Sequence, residues 1–346
     1  MALRVFFDPV AERHDTGPHH PERAQRLEAF SAGLERAGLR RDEFVKPKIA
    51  STAVIEAVHP AAYVSIVRVV CDAIREGSIG ELPTGDTVVS HESFAIAMSA
   101  AGGAIEAAAG AAPGAPTLAL VRPPGHHAEP ARGMGFCLFN NVAIASAWAL
   151  RERGNVLVVD FDYHHGNGTQ AWVERELERE GPGLGFISSH AYPAYPGTGA
   201  FDESRLADRG FVADIPLAHS TDTDDFTQTW AQLLPRAAAR LKPKTIVVSA
   251  GFDFLAGDPI AGLSVAPRAV DALCALLGDV ASAHKASLAF VLEGGYSLDN
   301  LRASGESLAR TFGAGTAKSH VPLEAEIKDQ RLRAMVDQAK SWFDKK

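Results

Sequence analysis

The residues of this chain that could do chemistry stand in short polar clusters, each just after an apolar run. Arg122-Pro-Pro-Gly-His126-His127 follows one run and Asp160-Phe-Asp162-Tyr-His164-His165-Gly-Asn167 a second. Ser189-His190, Ala-Gly-Phe-Asp253 and Glu293-Gly-Gly295-Tyr296 follow three more. Asp162 and His164 are two residues apart, so at the end of an extended segment they project to one side and can share a metal ion, with Asp253 as a third ligand. Two carboxylates and one imidazole suit Zn²⁺ or Fe²⁺, and three protein ligands leave positions open for water and substrate, as a catalytic site requires. Adjacent imidazoles repel when both are charged, so His126-His127 is useful if two different partners hold the rings in different protonation states. Asp160 and Asn167 are the candidate partners: a carboxylate raises the pKa of its histidine, whereas an amide orients a ring with little electrostatic bias. The glycines before Tyr296 let the backbone pass close to a ligand, and the phenol could donate to an oxyanion.

Such clusters must be brought together by a frame. Runs rich in β-formers fall at 3–7, 117–121, 156–160, 184–188, 245–249 and 287–292, and amphipathic stretches of helical length fall at 21–37, 60–75, 91–109, 140–153, 168–180, 223–241, 267–283 and 298–312. Pro21, Pro60 and Pro267 suit first-turn positions of their helices. Strands alternating with helices predict an α/β fold with a mostly parallel sheet covered on both faces, and ligands bind such sheets beyond the carboxyl ends of the strands. The polar clusters occupy those ends. Segments 81–90 and 189–210 read as long loops, and loops of that length in a compact domain are usually functional.

The chain has 346 residues, 46% apolar and 22% charged, with 34 basic against 42 acidic residues and a net charge of −8. That excludes a disordered, collagenous or disulfide-built protein. Without a basic block, no direct nucleic-acid partner is expected. Cys71, Cys137 and Cys274 form no Cys-x-x-Cys pair and read as buried thiols in a reducing compartment. The N-terminus meets Asp8-Pro9 too early for a signal-peptide core, and the weakly polar stretch 95–121 is broken by Glu106, Pro113 and Pro116. No membrane association and a cytoplasmic location are therefore expected. No repeat or linker divides the chain. The expected organisation is one catalytic unit over 1–315, with 316–346 a helical segment packed on its periphery; whether it forms a homo-oligomer is left open.

Taken together, these motifs resemble the zinc-dependent histone deacetylase superfamily, which includes acetoin-utilisation proteins and acetylpolyamine amidohydrolases. Gly135-Phe136-Cys137, Pro196-Gly-Thr-Gly and Asp253-x3-Gly-Asp-Pro259 join the clusters above in the family's order, over about residues 4–312. His14-Asp-Thr-Gly-Pro-His-His-Pro-Glu-Arg23 and the Asn167 that follows His-His-Gly look like its class II-like bacterial branch. The resemblance implies an arginase-deacetylase-like single domain with one Zn²⁺ on Asp162, His164 and Asp253. It also implies Tyr296 polarising the acyl carbonyl, His127 moving the proton of the attacking water to the leaving amine, and His126 supporting it with Asp160. Phe136 and Tyr195, with Gly135 and Gly295, match the walls of an acyl-lysine channel. Asp86 matches a position that grips substrate backbone, and Arg23 one that lines an inner cavity. A structural K⁺ is implied near Asp160, Asp162, His164, Ser188 and Ser189. The implied substrates are acetylated lysine in a peptide or protein, or a related acylated amine. Three rival readings remain: an acetylpolyamine amidohydrolase, an arginase-like dinuclear hydrolase, and a silent acyl-lysine-binding protein. Asn167 replaces the Asp of the class I branch, and Ile260, seven after Asp253, is not the acid of one polyamine-selective branch.

Overall fold

Side chains along the central strands alternate between two apolar layers. In Val156–Asp160, Val156 and Val158 join one hydrophobic cluster while Leu157 and Val159 join the other. Ser287–Leu292 divides in the same way. A strand apolar on both faces is stable only when covered on both, and the covers are helices. The computed structural model describes residues 3–313 and 325–344. Among these the strands are β1 (Arg4–Phe6), β2 (Ile79–Glu81), β3 (Val88–Ser90), β4 (Thr117–Ala119), β5 (Val156–Asp160), β6 (Leu184–Ala191), β7 (Arg205–Ala207), β8 (Gly210–Leu217), β9 (Thr245–Ala250) and β10 (Ser287–Leu292). The α-helices are α1 (Gln25–Arg36), α2 (Thr52–Ile55), α3 (Ala61–Asp72), α4 (Ser93–Gly110), α5 (Asn141–Arg153), α6 (Asn167–Leu177), α7 (Thr223–Leu241), α8 (Arg268–His284), α9 (Leu298–Gly313) and α10 (Gln330–Phe343).

Eight strands form one sheet in the order β1-β4-β10-β9-β5-β6-β8-β7, parallel throughout except for the β7–β8 edge pair. Helices α3 to α6 cover one face; α1 and α7 to α10 cover the other. The expected α/β architecture is therefore present. More to the point, β4, β10, β9, β5 and β6, whose ends carry the polar clusters, are consecutive neighbours in the sheet. Five strands far apart in sequence thus open onto one crevice.

Several local expectations are corrected. Segment 81–90 is a hairpin, β2–β3, with Asp86 in its turn. Segment 189–210 is shorter as a loop, because β6 runs on to Ala191 and β7 precedes a further strand, β8. That strand was hidden by Asp214 and Pro216, which interrupt its apolar run. Helix α1 starts at Gln25 rather than at 21: the Glu22 carbonyl, which a longer helix would offer to the Arg26 N–H, accepts instead from Thr16 Oγ1 at 2.6 Å, and that N–H bonds to Arg23 O. Pro60 and Pro267 sit at the cap positions of α3 and α8, just outside the first turn. Helix α4 is long and apolar enough to cross a membrane by composition, but 67% of it is buried in the protein.

Helix α10 begins on an Asp329 cap and buries Leu332, Val336, Ala339 and Phe343 against α7 and β8. Its Trp342 ring stacks on Phe201 at 4.9 Å. The boundary expected between 315 and 316 lies outside the described residues.

Candidate active site

Strand β5 ends at Asp160, so Asp162 and His164 stand on the turn after it rather than on the strand. Carboxylates shape this turn: Asp160 Oδ1 accepts from the Asp162 N–H at 3.1 Å, and Asp162 Oδ1 from the His164 N–H at 2.9 Å. Asp253, after β9, accepts the Tyr163 N–H at 2.8 Å, which ties the two strand ends together. His164 Nδ1 then lies 3.2 Å from Asp162 Oδ1 and 3.0 Å from Asp253 Oδ2. Ligand atoms on a tetrahedral zinc with bonds of about 2.0–2.1 Å are about 3.3 Å apart, so the three donors are spaced to hold such an ion. Asp162 is 1% exposed and Asp253 0%, and two buried carboxylates this close call for a cation between them. Their surroundings are glycine by necessity. A Cβ at Gly251 would stand 1.8 Å from Asp162 Oδ2, and one at Gly294 would stand 2.5 Å from the Oδ2 of both aspartates.

The paired histidines lie beside this trio, with ring centroids 4.0 Å apart. His126 Nδ1 meets Asp160 Oδ2 at 3.1 Å, and His127 Nδ1 meets Asn167 Oδ1 at 2.8 Å. The surroundings bias the two rings in opposite directions. Burial works against a charged His126, but Asp162 and Asp160 outweigh it and raise its pKa to about 10. Burial lowers His127 well below the ordinary imidazole value, and the neighbouring His126 and His164 push it the same way. A neutral imidazole beside a charged one provides one group that can accept a proton and one that supplies a fixed positive charge.

Tyr296 is 7% exposed, its N–H bonded to Asp258 Oδ2 at 2.7 Å and its ring 5.1 Å from the Arg26 guanidinium. Burial raises its phenol well above the usual value, so at neutral pH the hydroxyl is a donor. Glu293 accepts the N–H groups of Gly125 and His126 at 2.6 and 3.1 Å, fixing β10 to the histidine loop; burial lifts its carboxyl to about 7.

One comparison decides what these residues belong to. The family model for the histone deacetylase domain matches residues 20–312. The chain belongs to the histone deacetylase family. It is 34% identical over 319 residues to a histone deacetylase-like amidohydrolase of Pseudomonas aeruginosa, covering 84% of this chain and 81% of that one. Over 312 residues it is 34% identical to a histone deacetylase 10 described as chloroplastic from Oryza sativa, covering 85% and 69%. The solved structure of an HDA15 HD domain superposes with a TM-score of 0.83 at 28% identity, covering 99% and 97%. Membership makes this chain a hydrolase of the deacetylase and amidohydrolase type.

The remaining expected site residues of this deacetylase fall around the same crevice, with one exception. Phe136, held at φ 68°, lies edge-on to Tyr296 at 6.0 Å, and Tyr195 lies edge-on to His127 at 5.1 Å. Gly135 stands against His127, where a Cβ would be 2.4 Å from Cδ2. Tyr195 is 42% exposed and donates its hydroxyl to Asp86 at 2.7 Å, joining the hairpin to the crevice rim. The β5–β6 register sets Asp160 beside Ser188, with Ser189 next along β6 and Asp162 and His164 on the turn that follows β5. Arg23 is the exception. It lines a separate cavity of about 800 Å³ with Glu12, Arg13 and Glu92. The inward position belongs to Arg26, 0% exposed, whose Nε donates to Gly295 O at 2.6 Å and whose Nη2 donates to Glu293 O.

Sequence reasoning also missed the partner of that arginine. Glu22 accepts from Arg26 at 3.0 Å and from Arg122 at 2.5 and 2.8 Å, all three side chains being fully buried. The i,i+4 spacing of Glu22 and Arg26 ahead of Leu27 and Phe30 was the available signal. A second group, His165, His190 and Asp214, could also offer three donors. There, however, both His190 nitrogens are engaged, by Ser188 Oγ at 2.9 Å and Gly199 O at 2.7 Å, so this cluster reads as a structural support. Cys71, Cys137 and Cys274 are buried free thiols, and burial pushes Cys71 up to about 11.

Proposed function

We propose that the protein is a zinc-dependent deacetylase that removes the acyl group from acetyl-lysine or a closely related acylated amine. The observation that carries this reading is a pair of adjacent histidines with different partners, His126 on Asp160 and His127 on Asn167, against a preformed trio of one imidazole and two carboxylates. Asp162, His164 and Asp253 would hold the zinc, which when bound supplies a Lewis acid that polarises a carbonyl and acidifies water. His127 donates Nδ1–H to Asn167 and so turns the lone pair of Nε2 to the crevice, where it takes the proton of the attacking water. The same nitrogen returns that proton to the amine as the C–N bond breaks. Tyr296 donates its O–H to the acyl oxygen as negative charge grows there. His126, kept charged by Asp160, offsets that charge at close range without giving up its proton.

The aromatic walls support the choice of substrate. An amine loses its charge on acylation, so only the acylated form can lie between Phe136 and Tyr195 without a large desolvation penalty. Substitution of Tyr296 by Phe in the zinc-loaded enzyme is expected to lower kcat on an acetyl-lysine fluorogenic peptide about 10²- to 10³-fold, with KM little changed. Turnover at the wild-type rate would overturn the role of the phenol. Measured beside it, a strong kcat/KM preference for acetylputrescine or acetylspermidine over the peptide would replace the lysine reading with the polyamine one.

A further inference from the structure

An asparagine amide can present either end to a histidine, and the two choices have opposite consequences. With Oδ1 toward His127 Nδ1, the ring must carry its proton on Nδ1 and leaves Nε2 as a base. With Nδ2 there instead, Nδ1 becomes the acceptor, Nε2 is protonated, and the base is lost. The choice is made on the far side of Asn167. Its Nδ2 lies 2.9 Å from Glu129 Oε1 and 3.5 Å from Met134 Sδ, both of which can only accept here. A flipped amide would set its carbonyl oxygen against a carboxylate.

Glu129 is itself fixed. It closes a tight turn with Arg132, the two exchanging backbone hydrogen bonds at 2.9 and 3.2 Å. The next residue, Pro130, has its carbonyl 3.0 Å from His59 Nδ1. Because His59 Nε2 accepts the Asn140 N–H at 2.9 Å, Nδ1 is the donor to that carbonyl. The backbone of the turn that carries Glu129 is therefore held from the protein interior.

We propose that Glu129 is a positioning residue that sets the tautomer of His127 through Asn167. The proposal rests on the reading of His127 as the proton carrier, and its test reads the tautomer directly as well as turnover. Selective ¹⁵N-histidine labelling of the metal-loaded enzyme should show His127 protonated at Nδ1 in the wild type and a mixture with the Nε2–H form in Glu129→Ala. Turnover should fall about tenfold in kcat with KM little changed, the usual size of an effect transmitted through one hydrogen-bonded intermediary. Glu129→Gln, which keeps an acceptor for Asn167 Nδ2, should restore both. In the Asn167→Asp background the sign should reverse: two carboxylates now face each other, so Glu129→Ala should raise kcat. An unchanged tautomer in Glu129→Ala would overturn the proposal. So would an equal loss of kcat in both backgrounds, which would mean that Glu129 merely supports its turn. A shifted tautomer with undiminished turnover would uphold the action of Glu129 and count against His127 as the proton carrier.

Discussion

Replacing Glu22 by Gln tests whether the buried triad beneath Tyr296 is required. Among the described residues Glu22 is the only carboxylate bonded to two guanidiniums that are both fully buried, at 3.0 Å from Arg26 and 2.5 and 2.8 Å from Arg122. Burial would raise its carboxyl, but Arg122 and then Arg26 overcome that and hold it far below the usual carboxylate range. Glutamine fills the same space but offers one acceptor and turns an N–H₂ toward a guanidinium that can only donate. Removing one partner of a buried, hydrogen-bonded ion pair costs about 3–5 kcal/mol, because the remaining charge stays uncompensated. With an unfolding entropy of about 2.1 cal/mol/K per residue, 346 residues give about 0.7 kcal/mol/K, so Tm should fall by about 4–7 °C. The control is Glu12→Gln, which breaks a 2.6 Å pair with Arg41 whose side chains are 39% and 42% exposed, and should cost less than about 1 kcal/mol. Thermal melts and urea titrations read both. Activity well below the melting point should also drop in Glu22→Gln, because Arg26 donates to the carbonyls on either side of Gly294 and thereby sets the turn that presents Tyr296. A melting point indistinguishable from that of the Glu12 control would refute this reasoning.

Two further outcomes follow from geometry and burial. Gly251→Ala would bring a methyl to 1.8 Å from Asp162 Oδ2, so the variant should fold yet fail to retain stoichiometric zinc after dialysis against a zinc buffer; full metal content by elemental analysis would contradict the assigned ligand set. His14 and His59 are both lowered to about 4 by burial, from an ordinary 6.5. A histidine whose folded pKa is lowered contributes full stability above 6.5 and loses it as pH falls toward 4, since the unfolded chain takes up the proton first. At pH 5 the loss is about 2 kcal/mol for each. The stability difference between pH 7.5 and pH 5 should therefore shrink by about that amount in His59→Gln, and an unchanged difference would show that His59 does not titrate as its burial implies.

What could be read in the sequence was what strand-end position and short spacing encode. The trio Asp162, His164 and Asp253 was legible because each follows an apolar run long enough to be a strand, and all such runs in a parallel sheet end on one side. The reason given for Asp162 and His164 needed correction, since backbone N–H groups held by carboxylates, and not strand pleating, bring them together. Glu22 and Arg122 are separated by 100 residues and carry no local signature, so their pairing became visible only when β4 was laid beside the chain that precedes α1. The resemblance implied an inner-cavity arginine at Arg23, whereas the arginine turned inward is Arg26. In α1 the residues facing inward are Arg26, Leu27, Phe30 and Leu34, a set that Arg23, outside the helix, does not join. Strand β8 was lost to its own Asp214 and Pro216, a buried carboxylate and a half-buried proline that interrupt its apolar run.

The triad of Glu22, Arg26 and Arg122 also bears on why the metal trio can stay free for a cation. A buried guanidinium close to two buried carboxylates would satisfy them itself, and a metal would then have to displace it. Arg26 lies near enough to press on Tyr296, at 5.1 Å from its ring, yet each of its three nitrogens already donates elsewhere. Glu22 holds Nη1, the Gly295 carbonyl holds Nε and the Glu293 carbonyl holds Nη2. Arg122 is occupied in the same way by Glu22 and by the carbonyls of Ala11 and His14. His126 faces the trio instead, its Nε2 3.8 Å from Asp162 Oδ1 and its Nδ1 held by Asp160 Oδ2. The sheet thus separates two tasks that one charge set could not perform together. Guanidiniums tied to backbone carbonyls fix the position of the tyrosine turn, while Asp162 and Asp253 each keep an oxygen within 3.2 Å of His164 Nδ1.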